Sequence, residues 1–279
     1  GHGWVDLETS LKQSCDVYYY DLALKVGIEK ISAMANRFGL GIKHDLPLSS
    51  VAAGLAPTKQ WKQSARGANW VIGDTVNASI GQGFTLSSPL QLALMTARIA
   101  TNRIVTPRLI KSIDGIEQPS GAGEPLGVSE NNIRKVRKGM QVVVNDRRGT
   151  AYRSRIIADE MRMAGKTGTS QVRNITAAER ARGVSRNEDL PWERRDHALF
   201  VAFAPYDKPR YALSVLVEHG GGGSAAAAPI ARDVMLQALY GGEPPLDAYP
   251  TADRARIATQ QEELRKVQPQ AAINGKDQA

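Results

Sequence analysis

Residues 161–172 read Met-Arg-Met-Ala-Gly-Lys-Thr-Gly-Thr-Ser-Gln-Val. Their alternation predicts a β-strand. Gly165-Lys166-Thr167 looks like the end of a phosphate-binding loop, but that motif needs glycine five residues before Gly165, and Glu160 stands there. With that reading excluded, Lys166-Thr167-Gly168-Thr169 is a strand-borne cation followed by hydroxyls. Such a lysine sets a fixed charge beside a cleft, and the hydroxyls suit a carboxylate. Gly168 lets a substrate backbone approach closely, and edge-strand N–H groups can face a developing oxyanion. Taken alone, the motif reads equally well as a lysine in a surface turn.

Working outward, two short apolar runs, Ala198–Ala204 and Tyr211–Val217, flank a tight turn at 207–210 and predict a buried antiparallel hairpin. Between the lysine strand and this hairpin lies a polar loop, 173–196, longer than most structural connections. Gly220–Gly223 is a glycine turn, followed by a helix over 225–240 with Ile230, Val234, Leu236 and Leu239 as its stripe. Upstream, Ser129 caps a helix with Ile133, Val136, Met140 and Val143 on one face, and Ser88-Pro89 opens another that runs to Ala100. Residues 105–116 alternate weakly and suggest a hairpin, and residues 40–83 read as a glycine- and proline-rich loop region. Val17–Val26 is apolar on most sides, which predicts a buried helix ending at Gly27. Ile28, Ile31, Met34, Ala35 and Phe38 then recur at helical spacing up to Gly39. The fold class is α/β of the α+β type: an antiparallel sheet flanked by helices. Residues 1–242 form the domain, and 243–279 read as a polar, flexible tail with one exposed helix near 252–267.

The composition of the 279 residues is globular, at 42% hydrophobic and 23% charged, and no apolar run approaches the ~20 residues of a membrane helix. A net charge of +8 admits an anionic partner, but interspersed signs favour an ordinary basic surface, and nucleic acid is not expected. Cys15 is the only cysteine, which excludes an internal disulfide. It lies in Ser14-Cys15-Asp16, a hydroxyl and a carboxylate at a helix–helix junction. The plain reading of that triplet is a helix cap. A nucleophilic Cys15 is rejected, since the neighbouring Asp16 raises a thiol pKa rather than lowering it.

Four segments, in this order, resemble the transpeptidase domain of the class B penicillin-binding proteins: Ser14-x-Asp16, Ile80-Gly-Gln-Gly83 with Pro89-Leu-Gln-Leu92, Lys166-Thr-Gly-Thr169, and Asp196-His-Ala-Leu-Phe200 leading to Ala204-Pro205. The resemblance runs from Gly1 to about Gly242, and Asp16, where most of the family has asparagine, matches its elongation subfamily. It implies a penicillin-binding-protein/β-lactamase-like fold and acyl transfer through a serine ester. Ser14 would be a proton relay and Asp16 would hold the substrate or the adjacent loop. Lys166 would pair with Ser14 and polarise the cleft. Thr167 and Thr169 would bind the substrate or penicillin carboxylate, and the Thr169 N–H would form half of the oxyanion hole.

The family's Ser-x-x-Lys nucleophile has no counterpart, since no serine here is followed by lysine at the third position. The expectation is therefore a C-terminal portion whose sheet is incomplete on its N-terminal side, inactive and poorly folded alone. The resemblance further implies peptidoglycan stem peptides, β-lactams and membrane-bound elongation-complex proteins as partners, at the periplasmic face of the bacterial inner membrane. Alternatives are a D,D-carboxypeptidase, a β-lactam sensor, or a non-catalytic homologue binding elongation-complex partners. No cofactor is needed for the chemistry. Some members of the subfamily hold a structural zinc at this junction, which makes His2 and Cys15 candidate ligands, with two carboxylates needed from elsewhere.

Overall fold

The structure, a computed structural model, describes residues 1–118 and 123–274. At its centre is a three-stranded antiparallel sheet of order β3-β4-β5, formed by Ala164–Ser170 (β3), His197–Ala204 (β4) and Tyr211–Val217 (β5). β4 is central, and the period of two in its sequence divides its side chains between two cores. Ala198, Phe200, Ala202 and Ala204 face one layer with Met235, Leu236 and Leu239 of helix α9, Ala227–Tyr240. Val201 and Phe203 face the other, with Ala100 of helix α6 (Pro89–Thr101) and Met140 of helix α7 (Glu130–Asn145). Burial on both faces explains why 198–204 reads as a nearly unbroken apolar run.

The capping signals hold. Ser88 and Ser129 accept hydrogen bonds from the backbone N–H groups of Gln91 and Asn132, each at 3.3 Å, with Pro89 at the first helical position. Ser112–Ile113 (β1) and Ile116–Glu117 (β2) form the hairpin read over 105–116, turning at Asp114-Gly115, both with positive φ.

Several expectations give way. Residues 40–83 contain two short helices, Lys59–Arg66 (α4) and Ile72–Ser79 (α5). Thr58 caps the first, with Gly67 in the left-handed conformation closing it, and Asp74 caps the second by accepting from the Val71 N–H at 2.9 Å. Helices this short have too few turns to show a periodicity. The stripe read in α9 is also half wrong. Ile230 and Val234 are exposed, and the face against the sheet is Ala227, Ala228 and Ala231 with Met235, Leu236 and Leu239. Small residues let that helix approach the sheet closely.

The helix Asp16–Val26 (α2), expected to be buried, leaves Val17, Leu22 and Leu24 exposed. It follows Leu7–Gln13 (α1) and precedes Ile28–Arg37 (α3), where Ile28 is buried but Met34 is exposed. The expected loose segment after 242 is docked where it begins. Tyr249 and Ile257 join the core beneath α9, and Gln261 Nε2 donates to the Pro244 carbonyl at 2.8 Å. The final helix, Thr251–Asn274 (α10), is clamped by the fully buried Arg232, which bonds Asp253 and also Asp233 at 2.8 Å. Among the described residues no helix is long and apolar enough to cross a membrane.

Candidate active site

α1 ends at Ser14, which takes the left-handed conformation (φ 52°, ψ 58°), and Cys15 then caps α2 without a side-chain hydrogen bond. Two helices joined this tightly need one residue of opposite twist, and a non-glycine residue pays about 1 kcal/mol for that role. The junction frees the Ser14 hydroxyl from capping. Lys166 Nζ instead donates to Ser14 Oγ at 2.5 Å, across a separation of 152 residues. The same ammonium donates to the carbonyl of Thr167 at 2.9 Å. Burial lowers the Lys166 pKa from 10.5 to about 8, against an opposing pull from the nearby Asp16 carboxylate. Asp16 itself is exposed at the start of α2.

Register decides how the other motif residues point. Lys166 stands opposite Val201 and Gly168 opposite Leu199, whereas Thr167 stands opposite Phe200 and Thr169 opposite Ala198. Lysine and threonines therefore leave β3 on opposite faces, and what they share is the edge turned away from β4. The carbonyl of Thr169 accepts from Gln82 Nε2 at 2.8 Å on that edge. Gln82 belongs to the quoted Ile80–Gly83 segment but carried no assigned role. Gly81 and Gly83 both have positive φ, which shapes the turn that carries it. The close approach at Gly168 is intramolecular. A Cβ there would meet Leu199 Cβ at 3.3 Å, and a Cβ on Gly223 would lie 2.2 Å from the Leu199 carbonyl and 2.5 Å from that of Gly168.

One contact was not foreseen. Thr150 Oγ1 lies 3.0 Å from Thr167 Oγ1. Thr150 sits in an irregular turn after α7, where no period or motif marks it. Behind it, Lys12 is buried and paired with Asp146 at 3.3 Å. A backbone N–H from Arg148, and then Lys12, hold the Asp146 carboxyl below its usual range.

Other aromatic and histidine side chains lie outside this cluster. Trp61 packs on Phe84 with ring centroids 5.2 Å apart, and Trp70 donates its indole N–H to Thr75 at 2.8 Å, so both anchor loops. Trp192 packs on His219 at 4.5 Å, and His197 Nδ1 accepts the His219 N–H at 3.0 Å. The 173–196 segment, read as a loop, contains a short helix, Ala177–Arg182 (α8), and these contacts, with Asp196 accepting from Asn187 Nδ2 at 3.2 Å, tie it to the sheet end beside Ser170. For zinc, Cys15 is buried and His2 exposed, and among the described residues no group of three His, Cys, Asp or Glu side chains comes together. Two ligands do not make a tetrahedral site, so the described residues do not fit a zinc by themselves.

Residues 1–236 match the penicillin binding protein transpeptidase domain. The chain is 35% identical to the peptidoglycan D,D-transpeptidase MrdA of Haemophilus influenzae over 95% of its own length and 41% of that protein's. It is 33% identical to the MrdA of Escherichia coli K12, over 81% of this chain and 36% of that one. Among solved structures, it superposes on Pseudomonas aeruginosa PBP2 in complex with WCK 5153 with a TM-score of 0.71 at 38% identity, covering 87% of this chain and 50% of that one. It superposes on Helicobacter pylori PBP2, in complex with MreC, with a TM-score of 0.72 at 34% identity, covering 86% of this chain and 41% of that one. The chain thus spans about two fifths of the length of the curated relatives it matches. On the sheet, the motif order and these matches together, it belongs to the penicillin-binding protein transpeptidase family.

Proposed function

We propose that this chain supplies the lysine side of the active site of a peptidoglycan D,D-transpeptidase. The observation that carries the reading is the 2.5 Å contact between Lys166 Nζ and Ser14 Oγ, made by a half-buried lysine whose pKa has fallen to about 8. A lysine near that value holds or passes a proton at neutral pH, and the Ser14 hydroxyl relays it. No serine here has lysine at the third position, so the acylated serine lies outside these 279 residues.

In the proposed reaction, that serine's oxygen attacks the carbonyl of a penultimate D-alanine. The C–O bond forms, the oxyanion is met in part by the Thr169 N–H, and the peptide C–N bond breaks. Lys166 and Ser14 return the serine's proton to the departing D-alanine amine. The amine of a neighbouring stem peptide then attacks the ester, giving the cross-link and restoring the serine. The Lys166 charge with the Thr167 and Thr169 hydroxyls receives the terminal carboxylate, and Asp16 orders the rim. A β-lactam follows the first step and stops there.

The similarity to PBP2 solved in complex with MreC supports a partner protein for this chain, which we take to be one of the elongation complex, and membership of the penicillin binding protein family supports β-lactams as ligands. We place the reaction at the periplasmic face of the inner membrane, where stem peptides are cross-linked. His2 and Cys15 would contribute to a structural zinc only with carboxylates from outside the described residues. The test is covalent labelling by a fluorescent penicillin of the full-length protein carrying these residues. Labelling that is lost in Lys166→Ala supports the reading, and absence of labelling in the unaltered protein overturns it.

A further inference from the structure

The unexplained contact is Thr150 on Thr167, and the two faces of Thr150 touch different parts of the site. Its side-chain oxygen lies 3.0 Å from Thr167 Oγ1, while its backbone N–H donates to the Lys12 carbonyl at 3.2 Å. Lys12 lies in the last turn of α1, two residues before Ser14. One residue thus ties the helix that presents Ser14 to the strand that presents Lys166 and Thr167.

Thr150 is itself rigidly placed. The Ala151 N–H donates to the Val143 carbonyl at 3.0 Å, and a Cβ at Gly149 would lie 2.2 Å from that same carbonyl. The chain is pressed against the end of α7 at this point, where only glycine fits.

A threonine hydroxyl has one proton to give. If Thr167 donated it to a fixed neighbour, none would remain for a carboxylate. A neighbour that donates to Thr167 turns the Thr167 proton outward.

We propose that Thr150 is a positioning residue. Its hydroxyl donates to Thr167 Oγ1 and thereby aims the Thr167 proton at the ligand's carboxylate. The proposal rests on the transpeptidase reading and deepens it. The carboxylate is met by two hydroxyls in series, with the outer one oriented by the inner.

The experiment uses the full-length protein carrying these residues, as wild type, Thr150→Val and Thr150→Ser. The second-order rate constant of acylation is measured with benzylpenicillin and with its methyl ester, which lacks the charged carboxylate, and thermal melts are run on all three proteins. Valine keeps the shape and removes the hydroxyl, so Thr150→Val should slow benzylpenicillin about tenfold, the size expected for a hydrogen bond to a charged group. It should leave the slower ester within about twofold. Thr150→Ser should restore the benzylpenicillin rate. Equal loss on both ligands, or no loss on either, overturns the proposal, as does failure of serine to rescue. If the wild type is not acylated by benzylpenicillin, the transpeptidase reading itself fails, which is a separate outcome.

Discussion

Lys166 concentrates most of the site's electrostatics in one side chain. Its folded pKa of about 8 lies below the 10.5 of a free lysine. Below pH 8 both folded and unfolded chains carry the charge, and the fold bears the burial penalty. Between about 8 and 10.5 the folded chain releases its proton first, so stability should rise with pH through this window, by roughly 3 kcal/mol at most. Lys166→Met should abolish this slope and raise the melting temperature at pH 7, while reducing penicillin acylation at least about a hundredfold. Urea melts across the window and a labelling time course check both halves. The charge proposed to bind a carboxylate runs the other way: it is present below pH 8 and lost above, so on that proposal acylation should decline on the alkaline side of about pH 8. A profile that keeps climbing to pH 10 would contradict that. Gly223 is a second single-residue test. A Cβ there would lie 2.2 Å from a backbone oxygen in the middle of the sheet, so Gly223→Ala should cost about 1–3 kcal/mol in denaturant unfolding.

At the scale of elements, the strands were legible and the docking of helices less so. β3, β4 and β5 fall where alternation and apolar runs placed them; β4, buried on both faces, writes its pattern directly into the chain, whereas β5, read as the second strand of a buried hairpin, has no buried residue because its outer edge has no strand neighbour among the described residues. The caps Ser88 and Ser129 were legible because one side chain does the work. The inward face of α9 was not, since Ala227 and Ala231 carry less apolar signal than the exposed Ile230 and Val234. The docking of α10 was hidden for a similar reason. Beside Ile257, its contact is polar, made by Arg232 inside the protein and Asp253 at the helix start. Breaking it should be costly, because the fully buried guanidinium would lose one of its two carboxylates. Asp253→Ala should lower stability by about 1–3 kcal/mol and expose the start of α10 to proteolysis. Unchanged melting and unchanged cleavage would show that Tyr249 and Ile257 hold the helix without it. In the site, Ser14 and Lys166 could be found from motifs, whereas Thr150 could not, because it contributes through a turn that only the folded chain places beside Thr167.

Across the whole molecule, apolar surface is unevenly covered. Leu24 on α2, with Val71 and Ile72 at α5, is exposed around a cavity of about 840 Å³ whose lining also includes Ile28 and Trp70. β5 has one strand neighbour among the described residues, and Tyr211 and Leu216 on it are partly exposed. An open strand edge and an exposed apolar face each favour association. The 279-residue chain produced alone should therefore self-associate in light scattering and take up no labelled penicillin, and a monodisperse, stoichiometrically labelled monomer would contradict this. The central claim is that Lys166, held against Ser14, serves a serine acyl transfer. Its most direct test is stopped-flow acylation by a fluorescent penicillin of the full-length protein carrying these residues, beside Lys166→Ala and Ser14→Ala. The account predicts one covalent label per wild-type molecule and a rate constant at least about a hundredfold lower in each variant. Wild-type kinetics in both variants, or no label on the wild type, would contradict it.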